Sequence, residues 1–439
     1  MYVYGVIMMV LQNVKGSMDY LPDEQILRNK IIDILSKTFI EYSYLPVETT
    51  TLCYYDLLAS KYAGGAEILK EVYKLKDQGK RELALRYDLT VPFAKIISMN
   101  KGLTLPFRRY EIGKVYRDGP VKVGRNREFY QCDVDVCGIE GQFVEAELFS
   151  MAFTGYHRLG LDVYLEWNNR KFLSGLITYC GIPDDVVSRV ILSVDKLAKI
   201  GEDGVKEELK EYGIDDSKLN QLFGYFKLDI NDLESQFKDT DNELLKEGIS
   251  EILTLNQYIQ ELGLSDCRFT PYLARGLEIY TGTVWEVFDK TEILHCALGG
   301  GGRYDKIITN FINDGNSYPA VGMSFGLVPI AELLSKRVMD DSLYDIYIVP
   351  CDDDCNVFSL KLATDLRDKG FRVMIEMNHK KVKKAFQWAS KNNIPYVIVI
   401  GDNEVSSGKL SIRDMENSKD MEFSVDDIDN MSQFMRNDL

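Results

Sequence analysis

Residues 107–138 read FRRYEIGKVYRDGPVKVGRNREFYQCDVDVCG. Two strand-like runs flank a loop of Gly, Pro and basic residues, which predicts an antiparallel hairpin. In the second run Tyr130, Cys132, Val134 and Val136 alternate with Gln131, Asp133 and Asp135, so one face is apolar and the other polar. The first run sets Arg109, Glu111, Gly113, Val115 and Arg117 on one face, with Gly113 leaving room for something to lie against the sheet. The loop adds Lys122, Arg125 and Arg127. Between positions 108 and 128 seven basic residues (Arg108, Arg109, Lys114, Arg117, Lys122, Arg125, Arg127) face three acidic ones (Glu111, Asp118, Glu128). A solvated hairpin face carries charge in this way. So does a floor for an anionic ligand that also has a cationic or polar end. The rest of the chain decides between the two.

At 439 residues the chain has room for two or three domains with their own cores, and 45% apolar and 27% charged residues are ordinary for a soluble protein. No apolar run approaches the roughly 20 residues that span a bilayer. The opening MYVYGVIMMVL lacks a basic start and a small-residue cleavage site; it reads as a disordered or edge-packing extension, with Met8 or Met9 as an alternative start. Eight cysteines form no C-x-x-C pair, and Cys132 and Cys296 fall in expected core strands, so reduced buried thiols of a cytoplasmic protein are expected. A net charge of −16 opposes general nucleic-acid affinity, because a negative field repels phosphate. RNA contact must then use local basic patches: the hairpin loop, and residues 378–393 (NHKKVKKAFQWASKNN), which carry five lysines and no acid. Three histidines (His157, His295, His379) leave little material for a histidine-based metal or acid–base cluster.

In chain order, residues 15–22 (KGSMDYLP) lead into a helix over 23–42, with Leu27, Ile31, Ile34, Leu35, Phe39 and Tyr42 at helical spacing. A hairpin over 71–88 turns at 77–80, and a helix over 90–99 starts with Thr90 and Pro92. After the central hairpin come a helix over 143–159 and a strand over 161–167. Strand signals fade from 171 to about 264, where acidic, Leu- and Lys-containing helices predict an insertion. Strands return at 267. From 342, strands at 345–350, 372–376 and 395–400 alternate with helices at 356–369 and the lysine-rich segment, which predicts a small α/β unit with a largely parallel sheet. The division expected is residues 1–336 and 342–439, an α+β class with an antiparallel sheet flanked by helices, followed by the α/β unit.

Four segments of the first part join charge to glycine or a turn in strand-like settings: 85–90, the central hairpin, 275–286 and 298–305. The run LGGGGRYD at 298–305 is not a phosphate loop, since no Gly-Lys-Ser/Thr follows. It is either a flexible turn or a bare backbone surface against which a flat ligand packs. Arg275 and Tyr280 differ in parity, so they share a face only if the strand bulges near Gly276. Asp133 and Asp135 are either solvated or, with Asp88, an acidic pocket for a cationic or proton-donating small molecule. Cys351 and Cys355 are too isolated for a metal site, and no metal ligands are assigned.

These segments together resemble the histidyl-tRNA synthetases, a class II aminoacyl-tRNA synthetase family, from about residue 14 to about 429. KGSMDYLP resembles the family's opening Lys-Gly-x-x-Asp-x-x-Pro, and LRYDLTVPFAK (85–95) the segment that reads the substrate's amino end. The central hairpin resembles class II motif 2, with its Gly-Arg-x-Arg-Glu-Phe-x-Gln run. RGLEIYTGTVWE (275–286) resembles the histidine-specific Arg-Gly-Leu-Asp-Tyr-Tyr segment, and GGGRYD (300–305) the second histidine signature. The resemblance implies a ligase that makes histidyl-adenylate from L-histidine and ATP with Mg²⁺ and transfers histidine to tRNA(His). It implies that Arg117 holds the α-phosphate of ATP with Glu111 nearby, a planar always-charged fork suiting a phosphate whose charge spreads under attack. Arg275 stabilises the same phosphate from the other side. Asp88, Gln131 and Asp135 bind the amino group and imidazole, with Tyr280 on a ring nitrogen. Arg125 and Arg127 meet ATP phosphates or, for Arg125, the acceptor end of tRNA. Gly300, Gly302, Arg303 and Tyr304 floor the histidine pocket. The C-terminal unit resembles the anticodon-binding domain, with Lys380, Lys381, Lys383 and Lys384 toward tRNA phosphates. Pairing through motif 1 implies a homodimer.

One departure is large. Motif 3 of the family ends Gly-x-Glu-Arg, whose arginine holds the γ-phosphate; here the run is GMSFGLVP (322–329), with Val328 and Pro329 in those places. Asp88 and Asp135 stand where many relatives carry glutamate, and Glu278-Ile279 replaces Asp-Tyr. Two other readings follow from the motif 3 change. One is a histidine-sensing regulatory subunit of ATP phosphoribosyltransferase; the retained C-terminal unit opposes it. The other is a tRNA-binding scaffold without chemistry; Arg117, Gln131, Arg275 and Tyr280 oppose that.

Overall fold

The structure is a computed structural model that describes residues 11–61, 69–121, 126–275, 279–336, 342–378 and 380–437. The chain divides into two compact units, 1–337 and 338–439. Among the described residues no helix is long and apolar enough to cross a membrane. The N-terminal apolar run lies outside them up to position 10.

The first unit is built on eleven strands: β1 (Leu45–Pro46), β2 (Leu52–Tyr54), β3 (Lys74–Lys76), β4 (Glu82–Leu85), β5 (Phe107–Tyr116), β6 (Glu128–Cys137), β7 (Val163–Asn169), β8 (Cys267–Phe269), β9 (Thr283–Asp289), β10 (Gly299–Arg303) and β11 (Ala320–Gly326). Eight of them form one sheet in the order β1-β5-β6-β11-β10-β9-β7-β8. Its pairs are antiparallel except at the two edges, where β1 runs parallel to β5 and β8 to β7. The other three, β2-β4-β3, make a small sheet beside it.

The period-two patterns set the faces. Cys132, Val134 and Val136 of β6 and Val321, Met323 and Phe325 of β11 enter one core, shared with the helices Pro22–Glu41, Phe143–Arg158 and Leu327–Ser335. Phe149 sits at its centre, edge-on to Trp285 at 5.1 Å and to Trp167 at 6.4 Å. Each such ring buried adds about 1.5–3 kcal/mol by leaving water. The opposite face of the sheet carries the polar half of the alternation.

The helices from Arg170–Tyr179 to Glu243–Glu261 share this core, since Phe172, Leu245 and Ile252 belong to it. Asn169 caps the first, its side chain accepting from the amides of Lys171 and Phe172. First and last meet backbone to backbone. A methyl at Gly248 would lie 2.2 Å from the Phe172 nitrogen, and one at Gly175 2.6 Å from that of Leu245, so both positions need glycine.

The second unit has the strands β12 (Ile346–Pro350), β13 (Val373–Ile375), β14 (Tyr396–Ile400), β15 (Lys409–Asp414) and β16 (Lys419–Ser424) in the order β13-β12-β14-β15-β16. The first three are parallel, as the alternating pattern predicts; β15 and β16 add an antiparallel hairpin that the sequence reading lacks. All but one of the β16 residues are exposed, so no apolar alternation marks it.

Candidate active site

The pairing register lays the polar face of the sheet out in rows. Asp135 lies opposite Arg109 on β5 and Gly322 on β11, and Gly322 opposite Gly302 on β10. The next row joins Glu111, Asp133, Ser324, Gly300 and, on β9, Glu286. The third joins Gly113, Gln131 and Gly326. Adjacent rows are two residues, about 7 Å, apart along each strand. Arg117 follows directly after β5, at the Gln131 end, its amide bonded to the Arg127 carbonyl at 2.8 Å.

One cleft over these rows is lined by Asp88, Arg117, Gln131, Asp133, Asp135, Arg275, Tyr280, Gly300 and Tyr304, among others. Residues from five separate stretches of chain thus converge. Arg275 and Tyr280 share the cleft, and both precede β9, which begins at Thr283. Residues 276–278, including the Glu278 replacement, lie outside the described residues.

The glycine strand explains itself in both directions. On the cleft side a methyl at Gly300 would meet Arg275 Nη1 at 2.6 Å, and one at Gly302 would meet the Tyr280 ring at 2.5 Å. On the core side a methyl at Gly299 would run into Tyr156 and one at Gly301 into Trp285, each at 2.4 Å. The expected bare surface exists, and the protein's own Arg275 and Tyr280 lie over it. Arg275 Nη1 donates to the Trp285 and Gly301 carbonyls, both at 3.3 Å, and its Nε lies 3.9 Å from Glu286. Arg117 is held by the Tyr87 carbonyl at 3.2 Å and by the rings of Tyr87 and Phe129, at 4.4 and 5.1 Å. Cation–π contact on two sides orients a guanidinium without neutralising it.

The acidic end is buried. Asp135 pairs with Arg109 Nη2 at 2.7 Å and accepts from the Tyr304 hydroxyl. Asp88 accepts from the Val91 amide at 2.9 Å, at the start of the helix Thr90–Met99. Burial, and then the neighbouring Asp135, push the Asp133 carboxyl up to about 8, against the opposing pull of Arg109. Asp135 is raised too, chiefly by burial.

Several expected site residues lie elsewhere. Glu111 does not line the cleft: its Oε1 accepts from the Thr49 amide and hydroxyl and from Arg86, at 2.8–2.9 Å. A buried carboxylate needs such partners. The space left by Gly113 is filled by Arg86, whose Nη2 would lie 2.3 Å from a methyl there. Arg303 points away from the cleft, since it shares parity with Gly301, and makes a two-pronged pair with Glu145 at 2.7 and 2.8 Å. Arg127 turns to Asp118 at 3.3 Å and to the Gly119 carbonyl at 3.2 Å. Arg125 lies outside the described residues, as do Lys122 and His379.

Asp133, which the sequence offers with Asp135 and Asp88 as an acidic pocket, lines the cleft; two residues absent from that reading join it, Ser324 by row position and Arg109 as the partner of Asp135. The shared parity of Asp133 with Asp135 was the available signal. In the second unit Lys381, Lys383 and Lys384 are exposed. Lys380 is committed to the buried Glu376 at 2.9 Å and lies 5.3 Å over the Trp388 ring. Cys296 is exposed and outside any strand, unlike the buried Cys132. At motif 3 the helix Leu327–Ser335 forms directly after β11, with the Pro329 ring packed toward Gly326 in its first turn. The backbone shape survives; the cation does not.

The model of the family described as histidyl-tRNA synthetase matches residues 16–330, and that of an anticodon binding domain residues 345–433. The chain belongs to the histidyl-tRNA synthetase family. It is 46% identical over 424 residues to histidine--tRNA ligase 1 of Bacillus cereus, covering 95% of this chain and 98% of that one. A crystal structure of histidyl-tRNA synthetase from Nostoc sp. PCC 7120 superposes with a TM-score of 0.85 at 27% identity, over 98% of this chain and all of that one. A Bacillus halodurans structure titled as an ATP phosphoribosyltransferase regulatory subunit/histidyl-tRNA synthetase has a TM-score of 0.74 at 21% identity, covering 88% and 97% of the two chains. That likeness is one of fold. The class II fold expected from the central hairpin, with its anticodon-binding unit, is the one observed.

Proposed function

We infer that the protein is a histidine–tRNA ligase, activating L-histidine with ATP to histidyl-adenylate and transferring the histidyl group to tRNA(His). One observation carries the reading: two guanidinium groups, Arg117 and Arg275, open into the same cleft as the buried carboxyls of Asp88 and Asp135 and the half-buried Gln131. That polarity suits a zwitterionic amino acid whose carboxylate attacks a phosphate. Arg117 orients the α-phosphate from the β5 side, and Arg275, from the far side, holds the carboxylate and the developing charge on phosphorus. Asp135 and Tyr304, one row from Gly300, accept and fix the imidazole, with Tyr280 over Gly302 closing the pocket. Glu111 and Arg303 act as positioning residues within the fold. Mg²⁺ arrives with ATP as counter-ion of its phosphates. Among the described residues the one carboxylate and thiol cluster with metal-binding spacing is Asp352, Cys355 and Asp402, in the other unit. Lys381, Lys383 and Lys384 meet tRNA phosphates. The protein works as a cytoplasmic homodimer.

Full-length similarity to named ligases supports this reading over the regulatory subunit. The test is pyrophosphate exchange into ATP on purified protein with each common amino acid: exchange with histidine alone is expected, and none with any amino acid overturns the reading. Light scattering at micromolar concentration tests the dimer, which a monomer's mass would refute.

A further inference from the structure

Asp133 has no assigned partner in the reaction just described, and its setting calls for one. It is 4% exposed, yet its Oδ1 accepts no hydrogen bond, and neither does the buried Oε1 of Gln131 beside it on the same strand face. Both side chains line the cleft. Ser324 supplies the Asp133 side chain with one hydrogen bond, but these two buried oxygens have no donor, a cost in free energy that a ligand's N–H groups would recover. The groups facing Asp133 are Asp135 on its own strand, Arg109 and Glu111 from β5, Ser324 from β11, Asp88 from the turn before Thr90–Met99, and Arg275 and Tyr280 across the cleft. Arg109 is already paired to Asp135. Its Nη1 lies 3.6 Å from Glu111, and no hydrogen bond reaches Asp133 Oδ1 from it.

The rows say which ligand group belongs there. Arg275 lies over Gly300, in the same row as Asp133, while Tyr304 and Tyr280 mark the Asp135 row. With an amino acid's carboxylate at Arg275 and its ring at Asp135, the α-ammonium falls between Gln131 and Asp133. We propose that Asp133 binds the substrate's α-ammonium group directly, sharing it with Gln131, and so selects for an amino acid with a free amino group. The proposal rests on the cleft being the amino-acid pocket. A charge-assisted contact to a buried carboxylate is among the stronger single interactions available there.

The probes are histidine, histidinol (ammonium present, carboxylate absent) and imidazolepropionate (ammonium absent). Calorimetric titration of the full chain is compared with that of Asp133→Asn, whose fold is checked by thermal unfolding. The expected result is at least a tenfold weaker Kd for histidine and histidinol in the variant, with imidazolepropionate binding changed less than twofold. In exchange assays KM for histidine should rise about tenfold while KM for ATP stays within twofold. Equal loss for all three ligands, or no loss for histidine, overturns the proposal. The unsubstituted protein offers a second readout that needs no variant. Burial beside Asp135 raises the Asp133 carboxyl, so an ammonium that ionises it should make histidinol release more protons on binding at pH 7 than imidazolepropionate, measured in two buffers of different ionisation enthalpy; equal release overturns it. Histidine binding without exchange would sink the ligase reading and leave this one standing. No histidine binding at all would sink both.

Discussion

Arg109 and Asp135 face each other across the β5–β6 ladder, Nη2 to Oδ2 at 2.7 Å, with neither residue more than 3% exposed. Arg109 also donates to the Leu89 carbonyl at 2.9 Å, just before the helix Thr90–Met99. This pair anchors the acidic end of the cleft. Breaking a buried pair leaves one charge unpaired, at a cost of about 3–5 kcal/mol. Arg109→Met should therefore lose that much stability in urea unfolding, and Asp135→Asn in the same chain should recover part of it. Strictly additive losses would show that the two do not act as a pair.

Arg275 meets the cleft with one edge and the Trp285 and Gly301 carbonyls with the other. Removing a donor that serves developing charge typically lowers turnover by about 100–1000-fold. Arg275→Ala should show that loss in histidine-dependent pyrophosphate exchange while folding normally. Exchange within a few-fold of the parent would contradict its role.

Pro329 occupies the first turn of the helix Leu327–Ser335, where a backbone amide is dispensable. Arginine there should restore a charge-assisted contact to phosphate, worth roughly 1.5–3 kcal/mol. Pro329→Arg is expected to lower KM for ATP about tenfold or more, with KM for histidine unchanged. An unaltered KM for ATP would mean that other groups already supply the contact.

In the second unit, Lys381, Lys383 and Lys384 are exposed on or beside the helix Val382–Lys391, whereas Lys380 is paired to Glu376. Changing the three exposed lysines to Ala should weaken tRNA use and make its dependence on salt concentration shallower, by about one unit of logarithmic slope for each phosphate-binding lysine replaced. Adenylate formation should be spared. Lys380→Ala should affect stability more than tRNA use. Equal loss of both activities in the triple variant would refute the assignment.

Stability should carry the mark of Asp133. Its carboxyl is raised to about 8 by burial beside Asp135, from an ordinary 3.8. The native state therefore keeps a proton that the unfolded chain gives up, and this group's contribution to stability falls as pH rises from about 4 through about 8. Asp133→Asn removes the titration. Relative to the parent, its Tm should be higher at pH 9 than the same comparison shows at pH 5. A difference that is constant with pH would mean that Asp133 is ionised throughout.

Much of this was legible from sequence. The alternation in residues 128–137 placed Gln131, Asp133 and Asp135 on one face because strand side chains must alternate, whatever surrounds them. The motif resemblance brought Arg117, Arg275, Tyr280 and Tyr304 into one cleft, as the structure does. The β15–β16 hairpin escaped notice because a largely exposed strand has no apolar period to read. Glu111 and Arg303 were misplaced for a different reason. Each looks like a ligand-binding charge in its local run, and each is consumed by a distant partner: Arg86 and Thr49 for the first, Glu145 for the second.

By itself, then, the sequence determined which residue types lie on which face and in what order along each strand, since local sterics and periodicity suffice for that. Only the tertiary structure decided which charges face a ligand and which face each other. A buried charge must find a counter-charge, and the counter-charges here come from elements far apart in the chain, such as Arg303 and Glu145, 158 residues apart. The same assembly leaves Oε1 of Gln131 and Oδ1 of Asp133 without donors on the cleft floor. Nothing local to residues 128–137 records that arrangement, because it depends on β5 and β11 pairing on either side of β6.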